Sequence, residues 1–180
     1  YPGVRFVVVQ TSTSLVAQQV LSGDVDIGLC FSTAPVKDIY VAHRQSAPVL
    51  AVLSPTHALT PYDTLCLAQL VTHPLALPPP DITIRQMVDM ACSRQGLPLE
   101  PVLISNHAKT LLNFVQYGGG ITVSSEIGIR HQLANGALVA RPLSDAGMDL
   151  RDIEVQTLAG RQLPVAAQAF LDLLVEHLAS

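Results

Sequence analysis

Charged side chains are scarce. Lys plus Arg number 10 and Asp plus Glu 14 among 180 residues, 13% of the chain for a formal charge of -4, where a quarter is usual. No stretch concentrates the cations that phosphate neutralisation needs, which excludes DNA binding by these residues on their own. Long apolar runs are missing as well. About 18 consecutive uncharged apolar residues are needed to span a bilayer, so no membrane partner is expected, and Tyr1-Pro2-Gly3 does not open a secretory signal. Cysteines are few: Cys30, Cys66 and Cys92 are odd in number, far apart and without a C-x-x-C spacing. That excludes a disulfide framework and suits a reducing compartment, so the expected location is the cytoplasm.

Catalytic signatures are lacking too. There is no G-x-S-x-G elbow, no H-E-x-x-H, no G-x-x-x-x-G-K and no dinucleotide G-x-G-x-x-G, and no paired carboxylates or nucleophile-base spacing stands in for them. An enzyme is not expected. His43, His57, His73, His107, His131 and His177 share no metal-ligand spacing, so neither a metal nor a cofactor is expected. What the chain does have is apolar residues, 49% of the total. They suffice for the core of one domain or two small lobes and exceed what a charge-poor surface hides, which predicts an oligomer.

The pattern alternates strand and helix. Val4 to Val9 is β-branched and aromatic and predicts a strand; Leu15 to Leu21 follows as a helix, and Val25 to Phe31 predicts a strand covered on both faces in a parallel sheet. Strands at Ile39 to Arg44 and Pro48 to Leu53 follow too closely for a crossover helix, so the rhythm breaks there. It restarts with a short helix near Leu65 to Leu70, strand Leu75 to Leu77, the loop Pro78-Pro79-Pro80 and a helix from Thr83 to Gln95 ended by Gly96. Strand Val102 to Ile104, an N-cap at Ser105-Asn106, a helix with Leu111, Leu112 and Val115 inward, and strand Ile121 to Val123 come next. Gly118-Gly119-Gly120 follows a helix and reads as its stop and a close-packing point, not as a phosphate cradle. Helix 127–133, extended segments 137–140 and 152–158, and a final helix 163–178 with Val165, Ala166, Phe170, Leu173 and Leu174 inward complete the chain.

Two βα series separated by a break, with a return at the end, predict two α/β lobes with a cleft between them. Ligands of open α/β sheets bind beyond the carboxyl ends of strands. The loops there carry hydroxyls and amides: Thr11-Ser12-Thr13-Ser14, Ser32-Thr33, Asp81-Ile82-Thr83, Ser105-Asn106-His107 and Ser124-Ser125. Such groups at helix starts favour an anion or a carbonyl oxygen, and the same residue types also serve simply as caps. His107 in its loop, and Arg85 and Lys109 near helix starts, admit both a ligand-facing and a solvent-facing reading.

Five segments resemble one known family. Tyr1-Pro2-Gly3-Val4 and Leu21-Ser22-Gly23-Asp24-Val25-Asp26-Ile27-Gly28 are similar to the YPxV and L-x-x-G-x-L-D-[IL]-[AG] patterns that open the effector-binding domain of LysR-type transcriptional regulators. Pro55-Thr56-His57-Ala58-Leu59 resembles the family's P-x-H-P-L-A, Gln95-Gly96-Leu97-Pro98 its A-x-G-[FL]-x-P, and Val115 to Ile121 its V-x-x-G-x-G-I. The resemblance implies an α/β fold of two Rossmann-like lobes joined by two crossover strands, the type 2 periplasmic-binding-protein architecture. Lobe I is then residues 1–48 with 154–180, lobe II 49–153, and the family's first strand and helix are missing ahead of Tyr1.

It further implies a non-enzymatic sensor that binds a small, anionic metabolite between the lobes and alters oligomer geometry. Expected partners are that effector and further copies of the chain, a dimer or, in the full-length protein, a tetramer. DNA is reached only through an N-terminal helix-turn-helix. Carried over residue by residue, the effector contacts are Thr11, Ser12, Thr13, Ser32, Thr33, Ile82, Thr83, Ser105 and Asn106. Ala58 and Ser125 stand where the family usually has proline, the latter making that lip more polar. A transporter's solute-binding protein, which shares the fold, is the alternative.

Overall fold

The computed structural model describes residues 2–32, 34–148 and 152–179. In chain order the elements are α1 (Thr13–Ser22), β1 (Gly28–Phe31), β2 (Ile39–Ser46), β3 (Val49–Leu53), α2 (Leu67–Leu70), β4 (Ala76–Leu77) and α3 (Thr83–Gln95). β5 (Leu103–Ile104), α4 (Ala108–Gln116), β6 (Thr122–Ser125), α5 (Glu126–Ala134), β7 (Val139–Pro142), β8 (Asp152–Leu158) and α6 (Val165–Ala179) follow. They divide into two compact units, Tyr1–Ser46 with Asp152–Ser180, and Ala47–Arg151.

In the first unit the sheet order is β1-β8-β2, antiparallel at both pairings. The parallel sheet expected here does not form, because the returning strand β8 inserts between β1 and β2 and runs against both. Nor is β1 covered on both faces: Cys30 is buried while Leu29 is 45% exposed. α1 packs on the face that carries Gly28, where an added Cβ would sit 2.7 Å from Val16 and 2.9 Å from Val20. Glu154 and Gln156 lie on the same face, and both are buried. Glu154 accepts from Arg44 Nη2 at 2.5 Å and from Gln156 Nε2 at 2.9 Å, since a carboxylate taken out of water needs such partners. The other face borders α6, with Tyr40, Thr157 and Leu171 lining an open groove of about 640 Å³.

Two apolar expectations fail in this unit. Val4 to Val9 is not a strand; Val7 and Val8 are 87% and 92% exposed, and no strand among the described residues pairs with the segment. β-branched composition favours a pleated surface, but a lone extended segment has no ladder to join. In α6, Val165 and Leu173 point to solvent, at 75% and 64% exposure, and the buried residues are Leu171 and Leu178. The helix is apolar nearly all round, so its periodicity did not single out the inner face.

The second unit is wound on both faces of one sheet. β3 pairs antiparallel with β6 on one side and β7 on the other, and β4 pairs parallel with β5. The parallel bridge from Leu75 to Ile121 links the two sets. Alternation along β3 feeds two cores. Val49, Ala51 and Leu53 pack with Leu67 and Leu70 of α2 and with Met87, Val88 and Ala91 of α3. Val52 packs with Leu112 and Val115 of α4 and with Ile129 of α5. α3 ends at Gly96 in the left-handed conformation, φ 65°, as its position before Pro98 requires.

Gly120 is the tightest point. At φ 146°, a Cβ there would lie 2.0 Å from the Pro74 carbonyl oxygen, while Ile121 N donates to that oxygen at 2.9 Å. Of the cysteines, Cys30 and Cys92 are core residues, whereas Cys66 is only half-buried at the N-cap of α2. Burial, helped by the Glu154 charge, pushes the Cys30 thiol up to about 11.

Gly120→Ala is expected to cost about 3 kcal/mol or more in urea unfolding, because strain and overlap coincide. Gly96→Ala, with open space around it, should cost only about 1 kcal/mol. With a disulfide exchange reagent near pH 8, Cys66 should react well before Cys30 and Cys92, and equal rates at all three would contradict this burial pattern.

Candidate functional site

In the second unit the candidate residues gather at one end of the sheet. β4 and β5 run in parallel with Leu77 opposite Ile104, so the segments leaving their carboxyl ends, 78–83 and 105–107, emerge side by side. Ser105 N donates to Leu77 O at 3.2 Å. Ile121, in parallel with Leu75, brings the carboxyl end of β6, Ser124 and Ser125, to the same end. Each segment then turns into a helix. Ile82 is the N-cap of α3, His107 of α4 and Ser125 of α5, none with a side-chain capping bond among the described residues. A helix start leaves up to four N–H groups without intrahelical acceptors and carries about half a positive charge. Three such starts at one sheet end form a donor-rich rim, where Glu126 in the first turn of α5 offsets part of the dipole charge.

The individual side chains differ in readiness. Thr83, half-buried, opens α3. Ile82 contributes backbone only, its N–H donating to Pro79 O at 3.1 Å and its carbonyl accepting from Gln86. Ser105 is already engaged, its hydroxyl accepting from His107 N at 3.1 Å; it shapes the turn into α4. Asn106 and His107 are exposed. The N-cap is His107, one residue beyond the expected pair, because Ser105 spends its oxygen on the turn. Ser124 Oγ donates to Ser125 O at 3.1 Å, and Gly128 in the first turn of α5 leaves room for that hydroxyl, which a Cβ would meet at 2.8 Å.

Arg85 is a residue whose role the sequence left open. It is buried at 8% exposure in the first turn of α3. Nη1 donates to Pro78 O at 3.2 Å and Nε to Asp89 Oδ1 at 2.7 Å. Placed where a cation opposes the helix dipole, Arg85 is neutralised by a carboxylate one turn on, and it clasps the start of the proline loop. The i, i+4 spacing of Arg85 and Asp89 was the available signal.

In the first unit, α1 runs back along β1, so the start of α1 and the carboxyl end of β1 share one end of the sheet. Thr11, Ser12 and Thr13 are half-buried there. Ser12 is the N-cap; its hydroxyl lies 3.3 Å from that of Ser14 and makes no capping bond. Ser32 is half-buried directly after β1, with its N–H on Asp152 O at 2.8 Å. Thr33 lies outside the described residues. The structure thus places Thr11 to Thr13 and Ser32 on one rim of the first unit, and Ile82, Thr83, Ser105 and Asn106 on one rim of the second.

Around both rims the described residues hold no group of three or more His, Cys, Asp or Glu suited to a metal ion. No helix among them is long and apolar enough to cross a membrane.

Comparison with known proteins gives this architecture its relatives. The effector binding domain of QuiR, solved in complex with shikimate, superposes with a TM-score of 0.70 at 17% identity, covering 93% of this chain and 78% of that one. The regulatory domain of CcmR from Synechocystis PCC6803, solved in complex with 2-PG, also gives 0.70, at 20% identity over 98% of this chain and 84% of that one. In sequence, the HTH-type transcriptional regulator BbuR of Bordetella bronchiseptica is 24% identical over 82% of this chain and 46% of its own length. The uncharacterized HTH-type transcriptional regulator YfeR of Shigella flexneri is 25% identical over 97% of this chain and 56% of its own. The chain therefore spans about half the length of the curated relatives it matches. Its fold is the type 2 periplasmic-binding-protein fold of such domains. A family model described as the LysR substrate binding domain matches residues 1–179, and the chain belongs to that family, the effector-binding part of LysR-type transcriptional regulators.

Proposed function

We propose that this chain senses a small anionic metabolite through its strand-end loops and passes the binding event on as a change in the packing of subunits. The family is regulatory rather than catalytic. The single observation that carries the anionic reading is the gathering of three helix starts, α3, α4 and α5, at one end of the second unit's parallel strands. Backbone N–H groups and hydroxyls there supply directional donors, and the aligned peptide dipoles favour negative charge. Among the described residues the one buried cation of that region, Arg85, is paired with Asp89, and Lys109 in the first turn of α4 is exposed, so donor geometry carries the discrimination more than a buried charge does. Thr11, Ser12, Thr13 and Ser32 offer the same chemistry from the first unit.

Shikimate in QuiR and 2-PG in CcmR are the ligands named for two structural neighbours, and both serve as first probes here. Linkage supplies the mechanism: a ligand that binds one arrangement of the subunits better shifts the population toward it, typically by about 1 to 3 kcal/mol. We assign DNA contact to a helix-turn-helix of the longer regulator, the working assembly to a dimer or a tetramer of it, and the location to the cytoplasm, in keeping with three free cysteines.

A thermal-shift panel of carboxylates and phosphate esters, shikimate and 2-PG among them, should contain stabilisers of the 180-residue chain, by several degrees at saturating ligand. A panel in which only cationic or apolar compounds stabilise would overturn the anionic reading. For a stabilising anion, Thr83→Ala and Thr11→Ala should each weaken binding by about 1 kcal/mol, roughly fivefold in Kd, with unfolding curves unchanged. Titration calorimetry that finds both variants at wild-type affinity removes these residues from the site.

A further inference from the structure

β3 ends at Leu53, and residues 54–62 form a knot of turns behind it. His57 N donates to Ser54 O at 3.1 Å, Thr60 N to His57 O at 3.0 Å and Tyr62 N to Leu59 O at 3.2 Å. The Thr60 hydroxyl adds a bond to Ser54 O at 3.1 Å. Arg141 of β7 pins the far end, donating to Tyr62 O at 2.6 Å and to Thr60 O at 2.8 Å. One bond in the knot differs in kind: Leu59 N donates to the ring nitrogen Nδ1 of His57 at 3.1 Å. An acceptor needs a bare lone pair, so this ring is neutral and carries its proton on Nε2. The bond matters because Leu59 is a core residue, 9% exposed and packed with Leu65, Leu75 and their neighbours.

We propose that His57 is a proton-operated latch: adding a proton at Nδ1 sets a second hydrogen against the Leu59 N–H, breaks that bond and frees the 54–62 loop from the core of the second unit. The surroundings favour the closed, neutral form. The ring is half-buried and meets the His73 ring edge-on, with centroids 4.9 Å apart and planes at 65°. Burial first, and the His73 charge second, hold the His57 pKa below the ordinary histidine range.

His73, from the turn between α2 and β4, is the titratable group that faces His57. Arg141, the charged group bound to the same loop, is spent on backbone carbonyls. No ion pair among the described residues supplies a carboxylate to either ring. The same geometry disfavours a metal bridge between the two rings, because Nε2 of His57 keeps its proton as long as Nδ1 accepts.

The direction follows from linkage. The unfolded chain binds a proton at the ordinary pKa of about 6.5 and the folded ring only at a lower pH. The latch therefore contributes its full stability above about pH 6.5 and loses it as pH falls through that value toward the folded pKa.

His57→Asn tests the latch, because an Asn side-chain oxygen accepts from the N–H two residues on and does not titrate. At pH 7.5 the Tm of His57→Asn should lie within about 2 °C of wild type. Between pH 7 and pH 5 the wild-type Tm should fall further than the variant's. Protection of the Leu59 amide, corrected for the intrinsic exchange rate, should drop about tenfold in wild type and hold in the variant. By NMR, His57 should titrate below free histidine, and His73→Gln should move that titration upward. Parallel Tm curves, a Leu59 amide indifferent to pH, or a His57 that titrates at or above free histidine would overturn the proposal. Should His57→Asn fail to fold, the wild-type titration and the Leu59 exchange decide by themselves.

Discussion

Gly120 against Pro74 is the contact on which the site's geometry depends. The Pro74 carbonyl accepts from Ile121 N, Ala76 N donates to Ile121 O at 2.9 Å, and the buried Thr122 hydroxyl donates to Ala76 O at 2.6 Å. This short ladder sets β6 alongside β4 in parallel and forms only where the two backbones meet with no side chain between them. Parallel neighbours end at the same edge of a sheet, so the ladder puts the starts of α3, α4 and α5 together. Had β6 run the other way, Ser124 and Ser125 would lie at the opposite end from Thr83 and Ser105, and the rim would lose the start of α5.

Under the proposed function, that arrangement would let a charge-poor chain attract an anion. A buried lysine or arginine facing the ligand would need desolvation and a second partner when the ligand leaves. Peptide N–H groups and hydroxyls are neutral, water solvates them readily, and the starts of helices still carry partial positive charge. Arg85 shows the same economy from the other side. Its charge is neutralised by Asp89, and its hydrogen bond to Pro78 O fixes the proline loop, so the rim gains a shaped wall from a paired cation.

Much of the second unit was legible in the sequence. The 3.6-residue period of Ile84, Met87, Val88 and Ala91, bounded by Gly96 and Pro98, marks α3, and Leu111, Leu112 and Val115 mark the buried face of α4 as found. The strand-end hydroxyls stand out by residue type, but they do not mark every helix start, since the N-caps of α3 and α4 are Ile82 and His107. Three other features were not legible. Strand direction in the first unit depends on a partner more than a hundred residues away, Cys30 opposite Glu154, and no local period encodes it. Val4 to Val9 carries the composition of a strand, but composition supplies no ladder. The bond from Leu59 N to His57 was hidden because a histidine accepting from the backbone resembles any other histidine until the turn is seen.

Stability is distributed unevenly, and this bears on how a ligand can act. The second unit holds two apolar clusters on the two faces of β3, and each fully buried Leu, Ile or Val there contributes about 1.5 to 3 kcal/mol. Burial in the first unit is thinner. It centres on Ala17, Val20, Cys30, Ile153, Val155 and Leu171, with a polar pair, Arg44 and Glu154, holding β2 to β8 across the same sheet. Free energies of local opening follow burial, so the first unit opens locally more cheaply than the second. Under the proposed function, a ligand bonded to the first unit's rim would lose more of its affinity to ordering that rim than one bonded to the second's. For the proposed sensing that cost matters, because a rim that is rigid with or without ligand has no differential affinity to transmit, whereas one that is ordered only when occupied does.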